Sequence, residues 1–305
     1  MAQNAAAYPL AAPTVNGSTI TVETMLAQPT RITRYLSDIT LRNYISPLIF
    51  STPGSVTGGA VIYDQLTLND LFPTRDVQEV APGAEFPNLM SDNPEPKVAP
   101  VEKHGGKFFV TDEARDRNDQ GVIQREGRKV MNAMVRRQDA RGIAIVDAAL
   151  AAFPSQVVAG TNWNNVVTGG SSQSNAALWP AADVARVQGL ADKQEIGVVI
   201  DTLIVNPDQA LQLRIVYGKD LPSMLGDYGI QNLESSNRVA AGTAYALAAG
   251  QPGEMRPEKV LSTETWREPE TQRTWVQNDA RFVSYITDPY SIFKLTGLAL
   301  SLIHI

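Results

Sequence analysis

Apolar side chains recur at helical spacing through the middle of the chain, between Asp119 and Leu150. Most of them stand three, four or seven residues apart, and no proline interrupts the stretch. The apolar positions are Ile123, Val130, Met134, Ile143, Val146 and Leu150. At a rise of 1.5 Å per residue, such a helix is about 48 Å long. The pattern predicts one long helix with a thin apolar face, preceded by a short turn for which Thr111 is the N-cap.

Three glycines within this stretch leave a second interpretation open. Gly121, Gly127 and Gly142 each cost roughly 1 kcal/mol relative to alanine in a helix interior. The alternative is two ordinary helices that break near Gly121 and Gly142. The apolar face is also interrupted from Arg136 to Asp139, so the predicted helix is not buried on all sides. We expect its charged face to meet water or other subunits.

The patterns on either side of this helix predict an α+β fold built from six segments. These are an N-terminal arm at 1–30, a helix and strand at 31–75, a ribbon at 76–110, the long-helix segment at 111–179, a compact region at 180–275 and returning strands at 276–305. The arm has few large apolar side chains, so we expect it to be loose or to lie along a partner.

The N-terminal half carries weaker periodic patterns. Residues 31–49 follow a helical period that stops at Pro47, and residues 60–63 are typical of a strand. Residues 77–80 and 107–110 alternate between apolar and polar side chains at the two ends of a proline-rich stretch. Because proline is confined to strand edges and turns, this stretch predicts a two-stranded ribbon with an irregular tip.

The C-terminal half alternates between helical and strand patterns. Val184, Val187 and Leu190 predict an amphipathic helix, and Asn206 with Pro207 is typical of a helix start. The remaining apolar runs predict strands at 198–205, 239–249, 274–276, 281–286 and 292–302.

Composition restricts the class of protein. The 305-residue chain has a net charge of -6 and no cysteine, with 43% hydrophobic and 19% charged residues. The hydrophobic and charged fractions are typical of a soluble protein. The negative net charge argues against a free-standing nucleic-acid-binding protein. Because there is no cysteine, disulfide bonds are excluded. Residues 1–13 lack the basic region of a secretory signal, and residues 295–305 are too short to span a bilayer. We therefore expect no membrane segment and synthesis in the cytoplasm.

Residue types suited to catalysis are sparse. The sequence has neither a P-loop nor a dinucleotide-binding glycine motif. Its two histidines are far apart: we expect His104 in a loop and His304 on the last strand. Glu264, Glu268 and Glu270 are grouped, but we interpret them as a solvated face rather than an acid/base site. We therefore predict no catalytic residue, no metal site and no cofactor.

The predicted long helix is rich in basic residues interleaved with Asp119, Glu126 and Asp139. This pattern favours a charged face that compensates itself, and such faces suit contacts between subunits. The candidate inter-subunit residues are Arg125, Arg128, Arg136 and Arg137.

Taken in order, these segments resemble the major capsid proteins of tailed bacteriophages, which have the Hong Kong 97-type fold. Residues 102–119 (EKHGGKFFVTDEARDRND) are similar to that family's passage from a protruding E-loop into its spine helix. Residues 202–213 (TLIVNPDQALQL) are similar to a strand-to-helix step of its A-domain, and residues 281–297 (RFVSYITDPYSIFKLTG) to its closing strands. The resemblance covers nearly the whole chain.

The resemblance implies a structural protein that assembles into pentamers and hexamers of an icosahedral shell around double-stranded DNA, without sequence-specific binding. It implies a virion protein assembled in the host cytoplasm, with a portal protein, a separate scaffolding protein and, where present, decoration proteins as partners. Some members form a Lys-Asn crosslink between subunits. Lys97, Lys103 and Lys107 could supply the lysine, but residues 271–273 contain no asparagine, so we expect no crosslink.

Two alternatives stay open. One is an encapsulin-type compartment, which shares the fold and encloses protein cargo. The other is a cytoplasmic hydrolase that uses the carboxylates of residues 264–270. The contents of a purified particle distinguish all three hypotheses.

Overall fold

A computed structural model describes residues 21–40, 44–67, 70, 77–88 and 95–299 of the chain. Most of the predicted arm, the end of the last predicted strand and His304 lie outside these residues.

Helices occur in both halves of the described chain, and the longest lies near its middle. In chain order the α-helices are α1 Val22–Ala27, α2 Pro29–Thr40, α3 Ser46–Ile49, α4 Asp112–Asp116, α5 Gln120–Leu150, α6 Pro180–Lys193, α7 Pro207–Tyr217 and α8 Leu221–Asp227. We call α5 the spine helix.

The strands are β1 Phe50–Ser51, β2 Ala60–Tyr63, β3 Lys97–Pro100, β4 Glu102–Thr111, β5 Val157–Ala159, β6 Thr202–Val205, β7 Asn232–Ser235, β8 Ala244–Leu247, β9 Gly253–Glu268, β10 Arg273–Ile286 and β11 Ile292–Thr296. They form a four-stranded sheet in the order β1-β9-β10-β4, a five-stranded sheet in the order β5-β11-β8-β6-β7 and the two-stranded ribbon β2-β3. The spine helix packs on one face of the four-stranded sheet, mainly against β4 and β10.

The spine helix is continuous, so the alternative of two helices is wrong. Thr111 caps α4 by accepting a hydrogen bond from the amide of Ala114. Asp119 caps the spine helix, and its Oδ1 lies 3.0 Å from the amide nitrogen of Gly121. Two internal glycines lie where other elements approach closely. A Cβ at Gly127 would lie 2.8 Å from Leu36 Cδ2, and one at Gly142 would lie 3.1 Å from a ring carbon of Phe50.

The buried face of the spine helix differs in part from the predicted one. Ile123, Ile143, Val146 and Leu150 are buried as predicted, but Val130 and Met134 are only half-buried. The central buried residue is Met131, because the face that contacts the sheet continues from Ile123 in steps of four residues through Gly127.

The N-terminal predictions need two corrections. Residues 21–30 are not a loose arm: Val22 and Leu26 on α1 are buried in a core cluster with Ile32 and Phe108. The helical period of residues 31–49 is not one element either. The described part of α2 runs to Thr40, and Tyr44 and Ile45 are not helical. Pro47 lies in the first turn of α3, where a proline is tolerated because the amide would be unpaired.

A two-stranded ribbon exists, but both of its strands were assigned wrongly. Residues 77–80 form no strand, whereas β2 pairs antiparallel with β3 from Ala60 with Pro100 to Tyr63 with Lys97. The predicted strand at 107–110 is part of β4 and pairs with β10 of the four-stranded sheet.

Around the five-stranded sheet, the predicted α6 and α7 are confirmed, and Asn206 caps α7 through the amide of Asp208 at 3.0 Å. The strands β6, β8 and β11 are shorter than predicted. Two predicted strands, 274–276 and 281–286, are a single strand, β10, whose register is shifted near Asp279. Strands β7 and β9 and helix α8 were not predicted from the sequence.

Candidate inter-subunit surfaces

The outward face of the spine helix is cationic. Arg128, Arg136 and Arg137 are exposed, and within the described part of the chain none of them forms an ion pair. Arg125 lies 3.1 Å from a carboxylate oxygen of Glu126, which also accepts Lys129 at 2.9 Å. The hydrogen bonds from Lys129, and then from Arg125, lower the pKa of Glu126. Three of the four predicted contact residues thus present unpaired charge.

The predicted compensation by Asp139 is wrong, because its side chain is buried on the opposite face of the helix. Its Oδ1 accepts hydrogen bonds from the amides of Ile45 at 3.3 Å and Ser46 at 3.2 Å, and from Ser46 Oγ at 2.8 Å. Burial raises the pKa of Asp139, although these hydrogen bonds oppose the shift. The aspartate therefore joins the spine helix to the start of α3, and sequence reasoning missed it because a charged residue normally indicates the solvent face.

A second polar contact joins the spine helix to the five-stranded sheet. The hydroxyl of Tyr245 on β8 donates to Asp147 Oδ1 at 2.6 Å, and Lys294 Nζ on β11 lies 2.7 Å from the same oxygen. Burial raises the pKa of Tyr245, and the hydrogen bond to Asp147 adds to the shift. One carboxylate of the helix thus positions both strands.

The ribbon meets the spine helix beside a groove of about 280 Å³. Glu102 at the start of β4 pairs with Arg141 of the helix at 2.6 Å, and its other oxygen lies 3.2 Å from His104 Nε2. His104 is on a strand rather than in a loop, and its ring stacks on Phe282 at 4.9 Å. Glu102 and Arg141 line the groove together with Tyr285 and apolar side chains.

The carboxylates proposed for a hydrolase do not converge. Glu264 and Glu268 are four residues apart on β9, a separation of about 13 Å along a strand. Hydrogen bonds from Thr271, Arg273 and Trp275 lower the pKa of Glu268 to about 2. It is therefore held as an ionised structural acceptor, which does not suit a general acid.

Among the described residues, no group of three or more acidic or histidine side chains is arranged to hold a metal ion. Within the same residues, no helix is long and apolar enough to cross a membrane.

Comparison with known proteins decides the family. A family described as phage capsid protein matches residues 94–295, which is about two thirds of the sequence. The chain belongs to this phage capsid protein family. A search of curated protein sequences finds no match.

Solved structures agree with the capsid assignment at the level of the fold. A chain of Microbacterium phage Oxtober96 matches with a TM-score of 0.59 and 14% identity, covering 94% of this chain and 96% of that one. The capsid of cyanophage P-SCSP1u matches with a TM-score of 0.57 and 12% identity, covering 94% and 93%. A virus-like particle from Pyrococcus furiosus matches with a TM-score of 0.59 and 12% identity, covering 88% and 99%. The predicted α+β, Hong Kong 97-type fold is confirmed.

Proposed function

We propose that this capsid protein self-assembles into pentamers and hexamers of an icosahedral shell that encloses double-stranded DNA. The family match makes it a structural protein of a multimeric virion shell. The observation that supports contacts between copies is the cationic face of the spine helix, where Arg128, Arg136 and Arg137 have no ion-pair partner among the described residues. A closed shell repeats each weak contact in every subunit, so modest interfaces give a stable assembly.

We also propose a position in the shell for each segment of the chain. Residues 180–275 form an A-domain around the local symmetry axes. Residues 76–100 form an E-loop that lies on an adjacent subunit, whereas residues 102–110 of the predicted 76–110 segment belong to the four-stranded sheet as part of β4. Residues 1–30, 31–75, 111–179 and 276–305 form the arm, the first part of the P-domain, its spine segment and its returning strands. The protein acts without catalysis and is assembled in the host cytoplasm.

The proposal includes three kinds of partner. A separate scaffolding protein guides assembly, a portal protein occupies one vertex, and decoration proteins, where present, bind the outer surface. DNA is enclosed without sequence-specific contacts, and the net charge of -6 supports this because a strongly basic lining would retain the DNA. The Pyrococcus furiosus particle shares the fold alone, so an encapsulin-type role has no observation in its favour.

Charge reversal on the spine helix tests the contact between copies. We expect Arg136→Glu with Arg137→Glu to leave the unfolding of the unassembled subunit nearly unchanged, because both side chains are exposed and neither forms an ion pair with a described residue, and even an exposed pair contributes only about 0.2–1 kcal/mol. Particle yield, measured by sedimentation, should fall and become more sensitive to salt. Arg136→Lys with Arg137→Lys is the matched control, since it keeps both charges and should assemble.

Two results contradict this part of the proposal. One is normal particle yield from the reversed pair at every salt concentration. The other is a loss of subunit stability as large as that caused by Met131→Asp, which places a charge in the buried face of the same helix.

A further inference from the structure

The face of the four-stranded sheet opposite the spine helix carries an aromatic patch, which we define as Phe109, Trp266, Trp275, Lys107 and Arg273. Phe108 and Val110 point to the spine helix and are buried, so Phe109 between them points to the other side. Trp275 is the register partner of both Phe109 and Trp266. The ring centroids lie 5.4 Å and 6.3 Å from that of Trp275.

The aromatic patch is open to solvent. Phe109 is 43% exposed and Trp266 is 41% exposed, which is unusual for large side chains that both pack on a third ring, that of Trp275. Adjacent rings on one sheet face offer a flat apolar surface on which another aromatic side chain can stack.

Two cations border these rings. Lys107 Nζ lies 4.4 Å from the centroid of Trp275, and the Arg273 guanidinium carbon lies 4.6 Å from it. Arg273 is neutralised by Glu268, whose oxygen lies 2.6 Å from its Nε. Lys107 is exposed, and no ion pair joins it to a described residue. The patch therefore combines apolar area with an uncompensated positive charge.

A segment of the same chain has the complementary composition. Residues 77–88 (VQEVAPGAEFPN) contain Glu79 and Glu85 and no basic residue. Phe86 is 80% exposed, and neither glutamate forms an ion pair with a described residue. Phe86 and the neighbouring carboxylate of Glu85 are therefore complementary to the exposed rings of the patch and the ammonium group of Lys107.

The segment is not docked on the patch of its own chain, because Phe86 and the patch are both exposed. The ribbon from which the segment projects adjoins β4 at Glu102, whereas Phe109 lies seven residues further along that strand. Seven strand residues span about 23 Å. The patch is thus at the far end of the sheet from the base of the ribbon.

We propose that residues 77–88 of one copy dock on the aromatic patch of a neighbouring copy, with Phe86 stacked on the rings and Glu85 paired with Lys107. This inference rests on the proposed shell, and it specifies the surface that receives the E-loop. A second copy is favoured over nucleic acid, because Lys107 is the one cation of the patch that no described carboxylate compensates, and residues 77–88 supply both an exposed ring and a carboxylate to meet it.

Cysteine crosslinking tests the contact directly, since the chain has no native cysteine. Ala84→Cys and Gln277→Cys are introduced together; Gln277 is the register partner of Lys107, so the patch itself stays intact. Assembled particles are treated with a short bismaleimide and analysed on denaturing gels. We expect a ladder of covalent oligomers. The matched control combines Ala84→Cys with Ala133→Cys on the outward face of the spine helix, and should give no ladder.

Charge exchange provides a second, independent test. Lys107→Glu should lower particle yield severalfold, and adding Glu85→Lys in the same chain should restore it. Well-formed particles without a ladder, a crosslink confined to single chains, or failure of the exchange to restore yield would each overturn the docking proposal while leaving the shell intact. Failure of the wild-type protein to form particles would instead refute the proposed function.

Discussion

The contact of Asp139 with α3 gives a quantitative prediction about folding. Asp139→Ala removes the side-chain oxygen that accepts from the amides of Ile45 and Ser46. Both amides are buried, and a buried donor without a partner costs about 1–3 kcal/mol. The two amides are adjacent, so their costs do not add fully. We expect Asp139→Ala to lower the free energy of unfolding by about 2–4 kcal/mol.

Asp139→Asn is the matched variant, because the amide keeps an acceptor oxygen in the same place. Its effect on the unfolding free energy should be under about 1 kcal/mol. The pair separates the role of the acceptor from the role of the charge.

The wild type and Asp139→Asn should also differ in how their stability depends on pH. Because burial raises the pKa of Asp139, the folded protein retains this proton at a pH where the unfolded chain has lost it. The stabilisation that protonated Asp139 contributes is fully present below the pKa of the unfolded chain, about 3.9. It is lost as the pH rises through the higher pKa of the folded protein. The unfolding free energy of the wild type, relative to Asp139→Asn, should therefore be lower at pH 7 than at pH 4.

Urea unfolding of the unassembled subunit at both pH values measures these quantities. A relative stability of the wild type that increases with pH would show that Asp139 is stabilised as the anion. An alanine variant as stable as the asparagine variant would show that the contact with α3 contributes little.

Two further predictions concern the packing of the helices and are measured by the same unfolding experiment. Gly189→Ala in α6 should stabilise the subunit by about 1 kcal/mol because its Cβ meets nothing within 4 Å, whereas Gly142→Ala should gain less or destabilise because it would press on Phe50. Equal gains at the two glycines would refute the close packing inferred at the spine helix. Tyr245→Phe should cost about 0.5–1.5 kcal/mol by removing the hydrogen bond to Asp147, and an unchanged midpoint would contradict that role.

The spine helix could be predicted from sequence because its signals agree. Asp119 caps its start, no proline falls inside it, and apolar residues recur at helical spacing to Leu150. The step from β6 into α7 was predictable for a similar reason, since Asn206 and Pro207 specify a helix start.

Elements whose stability depends on distant partners could not be predicted in the same way. The 16-residue strand β9 contains Pro257 and many charged residues, and it is specified by its pairing with β10 rather than by its own pattern. Asp139 has the residue type of a solvent-facing position, and its burial becomes evident only when Ser46 is placed beside it. The exposed rings of Phe109 and Trp266 are far apart in the sequence. Only the pairing of β4 and β9 with β10 brings them onto one sheet face beside Trp275.

Electron microscopy of particles purified from infected cells tests the central claim most directly. The account predicts closed icosahedral shells built from pentamers and hexamers of this chain, with double-stranded DNA inside. Shells filled with protein cargo, or a protein that stays monomeric under assembly conditions, would contradict it.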